Sequence, residues 1–318
     1  MKSLLLIDAN SIIHRSFHAL PPFTGPDGEP TGAIYGIASI LLKLWREERP
    51  DYAAALFDRP EPTFRDKKYA AYKAQRPAAP SELVSQIIEA HRLFEVFGIK
   101  TYEMPGYEAD DLIATFAEKF KDKKREGNLK IIILTGDRDT LQLVEDGKIC
   151  VRTFNKGVSD TTTYDERAVF EKYSLKPSQL IDYKALVGDS SDNIKGVPGI
   201  GPKRALELVQ RFGTVEEMYQ NLSRDPALEK RLGPFRKEAE LSRELVILER
   251  HVPMEIPGIE ELATTETPLE TIDYFQKKGF STLLKRLENG ESKKEPGAVK
   301  GKVTHRNEGP KNIQERMF

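Results

Sequence analysis

The chain has 318 residues, which is enough for one large domain or two modest ones with a substantial core. Its 49 Lys and Arg nearly balance its 50 Asp and Glu, so the net charge of −1 does not by itself indicate an anionic or a cationic partner. The single cysteine, Cys150, excludes an intramolecular disulfide and fits a reducing compartment. The apolar runs near the N-terminus are too short to span a bilayer and follow no signal peptide. We therefore expect a soluble, cytoplasmic and monomeric protein without membrane contact.

In chain order, short apolar runs alternate with helical patterns over the first half. The apolar runs predict four strands, at residues 3–7, 52–57, 100–103 and 130–134. Helical periodicity between the strands predicts helices at residues 33–46, 81–97 and 109–123. Strands that alternate with helices indicate an α/β fold, in which a mostly parallel central sheet carries helices on both faces.

The second half of the chain is predicted to be helical. Helical patterns cover residues 204–212, 235–248 and 271–286, after a Gly/Pro-rich hairpin at 196–201. Near the C-terminus Lys, Gly, Glu and Asn dominate and apolar residues almost vanish, which is typical of a flexible segment. We therefore predict an α/β core at residues 1–165, a helical subdomain at 166–290 and a flexible tail at 291–318.

Acidic side chains follow three of the predicted strands. Asp8 follows the first strand, Asp58 the second, and Asp137 and Asp139 the strand at residues 130–134. The carboxyl ends of parallel strands lie at one edge of an open sheet, where ligands bind, so these carboxylates are expected to converge. A single Asp after a strand is often only the N-cap of the next helix. Capping does not account for acids at three strand ends.

Two further acidic groups precede helices. Glu108, Asp110 and Asp111 open a predicted helix, where one or two acids would be explained by capping and by the helix dipole. Asp189 and Asp192 form another pair ahead of the hairpin. Nine neighbouring carboxylates would repel one another unless cations held them. Hard oxygen ligands without a His or Cys pattern select Mg²⁺ or Mn²⁺ over zinc.

A carboxylate site for Mg²⁺ indicates phosphate chemistry. Two ions about 4 Å apart can activate a water molecule and neutralise the leaving oxygen of a phosphate ester. The sequence contains neither a Walker loop nor a dinucleotide fingerprint. The acidic residues therefore predict a hydrolase of phosphate esters that uses two divalent ions as cofactors.

A basic segment with interleaved aromatic residues follows Asp58 directly. Residues 59–76 contain six basic and two acidic side chains. There the cations would bind phosphates and the tyrosines would stack on bases above the acidic site, so we predict a helical, DNA-binding arch at about 59–80. A solvated amphipathic helix without that role is the alternative. In a helix, five side chains would share one face: Arg65, Tyr69, Tyr72, Lys73 and Arg76.

The hairpin at residues 196–205 carries the second DNA signal, with the sequence Gly-Val-Pro-Gly-Ile-Gly-Pro-Lys-Arg-Ala. Its glycines permit a close approach of the backbone, and the next helix presents N–H groups toward an anion. This pattern matches a helix-hairpin-helix, which holds the duplex backbone without reading sequence. A plain Gly/Pro connector is the alternative. The predicted DNA-binding residues are Gly199, Gly201, Lys203 and Arg204.

Together these segments resemble the 5′ nuclease domain of bacterial DNA polymerase I, within the flap endonuclease family. The matching motifs lie at residues 7–11, 57–58, 72–76, 106–111, 135–139, 188–193 and 196–205. The resemblance covers about residues 2–290, and its motif set is highly specific. It implies a PIN-like fold and a structure-specific 5′→3′ exonuclease and flap endonuclease of DNA replication and repair. The implied substrates are branched, nicked or flapped DNA and RNA primers on DNA.

The resemblance also implies roles for individual residues. Lys73 and Arg76 would contact the scissile phosphate, Tyr72 would stack nearby, and the hairpin would hold the downstream duplex with a K⁺ ion on its carbonyls. The implied ligands of a first metal ion are Asp8, Asp58, Glu108 and Asp110. Those implied around a second ion, some through water, are Asp111, Asp137, Asp139, Asp189 and Asp192.

The end of the chain raises two further expectations. The sequence ends at Phe318 without a proofreading or polymerase domain, which fits a stand-alone nuclease or the N-terminal part of a polymerase. Residues 314–318 loosely resemble peptides that bind sliding clamps, although Glu315 lies where an apolar residue is usual. An arbitrary tail end is the alternative. If this peptide binds a clamp, its deletion weakens clamp binding and leaves cleavage intact; equal affinities would contradict the hypothesis.

Two other classes of protein compete with a nuclease. A DNA-junction-binding protein that has lost catalysis would lack some of the acids, whereas all nine are present. A Mg²⁺-dependent phosphatase would need neither a basic arch nor a hairpin for its small substrate. Cleavage of a 5′-labelled flap that depends on Mg²⁺ distinguishes a nuclease from both alternatives.

Overall fold

The computed structural model describes residues 1–122, 129–157, 160–265 and 269–291, so the predicted tail lies outside the described residues except for Glu291. Its central sheet has six strands in the order β3-β2-β1-β4-β5-β6. All neighbouring strands pair in parallel except β5 and β6, which are antiparallel. The predicted α/β class with a mostly parallel sheet is confirmed. The strands are β1 (Ser3–Asp8), β2 (Tyr52–Phe57), β3 (Lys100–Glu103), β4 (Lys130–Thr135), β5 (Ile149–Phe154) and β6 (Thr161–Tyr164).

The sequence predicted four of these strands and missed β5 and β6. Arg152 interrupts the apolar run of β5, and β6 begins with three threonines, so neither strand has a strong apolar signal. Cys150 is buried near the start of β5, as expected for a small apolar residue.

Thirteen α-helices are present in the described residues. Five lie in the first half: α1 (Ala9–Ala19), α2 (Gly32–Glu47), α3 (Phe64–Lys68), α4 (Ser81–Val96) and α5 (Ala109–Phe120). Eight follow: α6 (Glu166–Tyr173), α7 (Gln179–Val187), α8 (Pro202–Phe212), α9 (Val215–Asn221), α10 (Pro226–Leu232), α11 (Arg236–Val246), α12 (Leu269–Lys277) and α13 (Ser281–Glu291). Short 3₁₀ helices cover Asp139–Leu143, Leu222–Arg224, Gly233–Phe235 and Ile259–Leu262. Among the described residues, no helix has the length and apolar character needed to cross a membrane.

The central strands bury side chains on both faces, because helices cover each face. Successive side chains of a strand alternate between the faces. In β1, Leu4 and Leu6 pack in the core that contains α5 and much of the second half of the chain, whereas Leu5 and Ile7 pack in the core with α1, α2 and α4. This two-sided burial holds the carboxyl ends of β1, β2 and β4 at a fixed edge.

The predicted long helix over residues 271–286 is two helices. Gly279, with φ of +71°, lies between α12 and α13 and is in the left-handed region, which favours glycine and ends a right-handed helix. Buried residues of this pair, including Phe275 and Phe280, pack in the same core as α2 and α4. The division at residue 165 stays a prediction, but these two helices pack with the predicted α/β core.

The predicted arch helix is also wrong over most of its length. α3 begins at a capping box between Thr63 and Asp66 and ends at Lys68. Beyond it, Tyr69 is extended and Lys73 has φ of +50°, which no right-handed helix contains. Residues 69–76, named here the cap segment, form turns whose side chains bond to other parts of the chain.

Candidate metal centre and nucleic-acid interface

Four carboxylates meet beyond the carboxyl ends of β1, β2 and β4, and we name them the inner carboxylates: Asp8, Asp58, Asp110 and Asp137. Asp8 ends β1, Asp58 follows β2, and Asp137 follows β4 by two residues. Asp110 lies in the first turn of α5. The predicted convergence of strand-end and helix-start acids is therefore seen in the structure.

Among the described residues, the inner carboxylates accept hydrogen bonds from neutral groups only. Asp8 accepts from the backbone N–H of Ser11 (3.0 Å) and the Thr135 hydroxyl (2.6 Å), so it also caps α1. Asp58 accepts from the backbone N–H of Ala109 (2.7 Å). One carboxylate oxygen of Asp110, Oδ1, is buried without a hydrogen-bond partner.

Desolvation and repulsion between carboxylates raise the pKa values of Asp8, Asp58 and Asp110. Burial first, and then the negative charge of Asp58, raise the pKa of Asp8 to about 7. Burial and the charges of Asp8 and Asp137 raise the pKa of Asp110 well above its usual range. Carboxylates whose pKa values are raised by desolvation and by one another, in a cluster at a sheet edge, mark a functional site.

Asp139 and Asp189 share a partly buried lysine that the sequence did not single out. Lys184 of α7 forms ion pairs with Asp139 and with Asp189, the latter at 2.8 Å. Lys184, with the Ser191 hydroxyl and N–H, outweighs burial and lowers the pKa of Asp189 to about 2. Burial and the charge of Asp137 outweigh Lys184 at Asp139, whose pKa is raised to about 7. The only sequence signal for Lys184 is its position five residues before Asp189.

Glu108 and Asp192 are held by the cap segment. Lys73 Nζ lies 2.5 Å from Glu108 Oε1 and 3.8 Å from Asp192 Oδ2, and Arg76 Nη2 lies 2.6 Å from Asp192 Oδ1. The Tyr72 hydroxyl lies 2.9 Å from Glu108 Oε2 and 3.0 Å from Asp192 Oδ2. Tyr72 is only 4% exposed, so its ring does not offer the stacking surface that the sequence predicted. Tyr69 is partly buried.

Arg65 and Asp111, which the sequence assigned to DNA binding and to metal binding, pair with each other in the structure. Arg65 is 1% exposed and Asp111 is 0% exposed, so in this structure neither can contact DNA or a metal ion. The two guanidinium nitrogens of Arg65 bond to both carboxylate oxygens of Asp111, at 2.7 and 2.8 Å. Arg65 also donates to Glu108 Oε2 and to the carbonyls of Leu245 and Ile247. The ion pair joins α3 to α5, and the carbonyl contacts of Arg65 join α3 to the end of α11.

The inner carboxylates fit a hard divalent cation. They supply oxygen ligands only, none of them forms an ion pair within the described residues, and the buried Asp110 Oδ1 has no hydrogen-bond partner there. Among the described residues, no three acidic side chains already close around one point as ligands. Lys73, Arg76 and Lys184 neutralise the outer acids Glu108, Asp192, Asp139 and Asp189 instead.

Without metal, the stability of the fold is expected to decrease as pH rises, and bound metal should weaken or reverse this dependence. The pKa values of Asp8 and Asp139 are raised to about 7 in the folded protein. Their contribution to the free energy of unfolding is therefore most favourable below the unfolded pKa near 3.8 and is lost as pH rises through 7. In EDTA the melting temperature should therefore fall between pH 5.5 and 8. With saturating Mg²⁺ the fall should shrink or reverse, since metal ions bind deprotonated carboxylates. Identical melting profiles in EDTA and Mg²⁺ would contradict this prediction.

The hairpin lies between α7 and α8. Gly196 (φ +65°) passes close to Gly188. A Cβ on Gly196 would lie 2.4 Å from the Gly188 nitrogen, and a Cβ on Gly188 would lie 2.4 Å from the Ile194 carbonyl oxygen, so both positions require glycine. Gly199 (φ +75°) and Gly201 follow, and Pro202 opens α8. Lys203 is exposed and Arg204 is partly exposed. Arg231 of α10 donates to the Gly199 carbonyl (3.2 Å) and adds a cation that the sequence did not indicate.

A parallel sheet with converging acids, a basic cap segment and a helical hairpin define a PIN-like nuclease architecture. Residues 3–174 match the family described as 5'-3' exonuclease, N-terminal resolvase-like domain, and residues 175–270 match its C-terminal SAM fold. The chain belongs to the 5'-3' exonuclease family.

Relatives and solved structures agree with this assignment. The chain is similar to a 5'-3' exonuclease of Aquifex aeolicus (42% identity over 70% of this chain and 73% of the relative). It is also similar to DNA polymerase I of Bacillus subtilis, with 38% identity over 90% of this chain. The chain spans about a third (32%) of the length of that polymerase. The bacteriophage T5 D15 flap endonuclease, solved with DNA and metal ions, has a TM-score of 0.63 at 20% identity and covers 91% of this chain and 98% of its own, which shows a shared fold.

Proposed function

We propose that this protein is a Mg²⁺-dependent 5′→3′ exonuclease and flap endonuclease that hydrolyses phosphodiesters where a 5′ single strand meets a duplex. The observation that carries the proposal is the convergence of the four inner carboxylates, none of which forms an ion pair among the described residues, together with the buried Asp110 Oδ1, which has no hydrogen-bond partner there. The 42% identical relative is a 5'-3' exonuclease, and the T5 neighbour was solved with DNA and metal ions. Mn²⁺ is the expected substitute for Mg²⁺.

In this proposal each group of residues has a separate task. Asp8, Asp58, Asp110 and Asp137, joined by Asp139, Asp189, Glu108 and Asp192, would hold two divalent ions, directly or through water. When bound, such ions supply activation of the attacking water and neutralisation of the leaving oxygen. Lys73 and Arg76, which carry positive charge beside the acids, would bind the scissile phosphate. Lys184 would keep Asp139 and Asp189 in place.

The hairpin would bind the duplex at a distance from the chemistry. Exposed Lys203, with Arg204 and Arg231, would contact phosphates, and Gly199 and Gly201 would let the backbone approach the strand. A K⁺ ion at the hairpin carbonyls, a monomeric state and a cytoplasmic location are part of the same proposal. A clamp contact through residues 314–318 and the removal of RNA primers also belong to it.

The direct test is cleavage of a 5′-labelled flap. With Mg²⁺ we expect a product cut near the junction, and EDTA should abolish it. Asp137→Asn should lose cleavage while DNA binding stays measurable, because a metal ligand changes and the cap segment and hairpin do not. Binding without cleavage by the unmodified protein at saturating Mg²⁺ and Mn²⁺ would favour a junction-binding protein. Hydrolysis of a small phosphate monoester without flap cleavage would favour a phosphatase.

Lys73→Ala should slow flap cleavage by about 10²-fold, the usual effect of removing one charged donor from a developing phosphate charge. Lys67→Ala is the matched control, because Lys67 is an exposed lysine of the neighbouring α3. Single-turnover rates at saturating enzyme separate this loss from weaker binding. Equal single-turnover rates for Lys73→Ala and the control would remove Lys73 from the catalytic set.

A further inference from the structure

The cap segment is fixed by neutral contacts as well as by its ion pairs. The Asn193 side-chain amide donates to the Ala71 carbonyl (2.6 Å), and the Lys73 N–H donates to the Asp192 carbonyl (3.0 Å). The Gln75 amide lies 3.0 Å from the Ser190 carbonyl and 3.3 Å from that of Ser191. These bonds join the cap segment to the loop between α7 and the hairpin, independently of the acids' charges.

Both sides of this junction have unfavourable backbone conformations. Lys73 has φ of +50° and Asn193 has φ of +58°, and left-handed geometry is disfavoured for residues with a side chain. Such conformations persist only where surrounding bonds hold them. The conformation of the cap segment therefore depends on these contacts, which a competing interaction could replace.

The charged contacts identify that competitor. Lys73 Nζ lies 2.5 Å from Glu108 Oε1, and Arg76 Nη2 lies 2.6 Å from Asp192 Oδ1. A divalent ion that used the same oxygens would have to displace these cations, since two positive charges cannot share them at contact distance. While it is bonded to Glu108, Lys73 is also unable to neutralise a DNA phosphate. Lys73 and Arg76 can thus pair either with the two acids or with DNA phosphates, but not with both at once.

We infer that residues 69–76 form a self-inhibitory latch, in which Lys73 and Arg76 stand in for divalent metal at Glu108 and Asp192 and are released to DNA when metal binds. Gln75 and Asn193 are positioning residues that set how firmly the latch stays closed. The inference rests on the proposed function for the identity of the metal and of the anionic partner. Metal and DNA then bind cooperatively, because each favours the open arrangement.

The first test follows the cap segment itself. Amide hydrogen exchange of the whole protein is measured in EDTA and with Mg²⁺ alone, without DNA. Exchange over residues 72–76 should accelerate roughly tenfold or more on Mg²⁺ binding, while α6 serves as the internal reference. Unchanged exchange over 72–76, although Mg²⁺ raises the melting temperature, overturns the latch.

The second test weakens the neutral contacts and leaves every acid and cation in place. Gln75→Ala removes the contacts to the Ser190 and Ser191 carbonyls, and Asn193→Gly removes the bond to the Ala71 carbonyl. Glycine keeps the left-handed backbone at position 193 without strain. In EDTA both variants should bind a 5′-flap DNA more tightly than the unmodified protein, by roughly 3–10-fold, because Lys73 and Arg76 are more often free. Gln220→Ala, at an exposed glutamine of α9, is the matched control.

These outcomes separate the latch from the proposed function. Equal or weaker flap binding by both variants in EDTA overturns the latch whether or not the protein cleaves DNA. If Mg²⁺ neither binds nor supports cleavage, the proposed function fails, and the EDTA binding comparison still decides whether the cap segment competes with DNA. If flaps are cleaved and the variants bind like the control, only the latch is lost.

Discussion

Asp110→Asn is expected to abolish flap cleavage and, without divalent ions, to raise the melting temperature. Both effects follow from the carboxylate's position among Asp8, Asp58 and Asp137, whose charges together with burial raise its pKa. At neutral pH the folded protein must either protonate Asp110 or carry an unfavourable charge. An amide avoids that cost and can donate to its carboxylate neighbours. The rise should amount to roughly 2–4 °C per kcal/mol of repulsion removed, and should grow with pH.

The same removal of charge that stabilises the metal-free fold is expected to impair cleavage. An amide carries no charge and binds Mg²⁺ more weakly, so the ions would be held less tightly and the developing phosphate charge less well neutralised. We expect a loss of at least about 10²–10³-fold in the cleavage rate. The Mg²⁺-induced increase in melting temperature should shrink in the same variant.

Calorimetry in EDTA and in Mg²⁺, with flap cleavage measured on the same preparations, tests both the expected rise in melting temperature and the expected loss of cleavage. Asp273→Asn is the matched control, because Asp273 is an exposed acid of α12. A lower melting temperature for Asp110→Asn in EDTA would mean that its carboxylate stabilises the metal-free fold. That result would remove the main support for an ion at the inner carboxylates.

The inner carboxylates were predictable because backbone geometry alone places them. Asp8 and Asp58 come directly at the ends of apolar strands, and parallel pairing brings such ends to one edge. The capping alternative was also correct for Asp8, which caps α1 as well as belonging to the site. One residue can therefore satisfy both interpretations, and only its neighbours show which one determines function.

The cations of the site were not predictable to the same degree, because side-chain contacts decide their roles. Basic residues at helical spacing suggested one exposed face, but the segment beyond Lys68 is not helical. Lys184 is one of many lysines in the sequence, and its ion pair with Asp139 joins residues 45 positions apart. A local pattern contains no information about such partners. Arg65 shows the same limit most clearly, since its sequence context favours a surface role.

Arg65→Ala is expected to destabilise the fold severely rather than to weaken DNA binding selectively. The side chain is 1% exposed, and its nitrogens bond to Asp111, Glu108 and two backbone carbonyls. Alanine would leave the fully buried Asp111 charge without its cation. Removing one partner of a buried ion pair costs about 3–5 kcal/mol, because the other charge stays desolvated. Denaturant unfolding in the presence of EDTA measures this loss without a contribution from metal.

A double variant separates the ion pair from mere loss of volume. Arg65→Met with Asp111→Leu removes both charges and keeps apolar volume, so it should recover much of the stability that Arg65→Ala loses. Arg59→Ala is the control: Arg59 is partly exposed, its ion pairs with Glu61 and Glu103 are accessible to solvent, and little change in stability is expected. If Arg65 bound DNA directly, Arg65→Ala would unfold like the unmodified protein and would bind flaps more weakly.

The double variant also tests how Arg65 affects the metal site. In it, Glu108 would keep its contacts with Lys73 and Tyr72 but lose its contact with the guanidinium. It should therefore fold and yet bind Mg²⁺ with altered affinity, because Glu108 would be free to shift relative to the inner carboxylates.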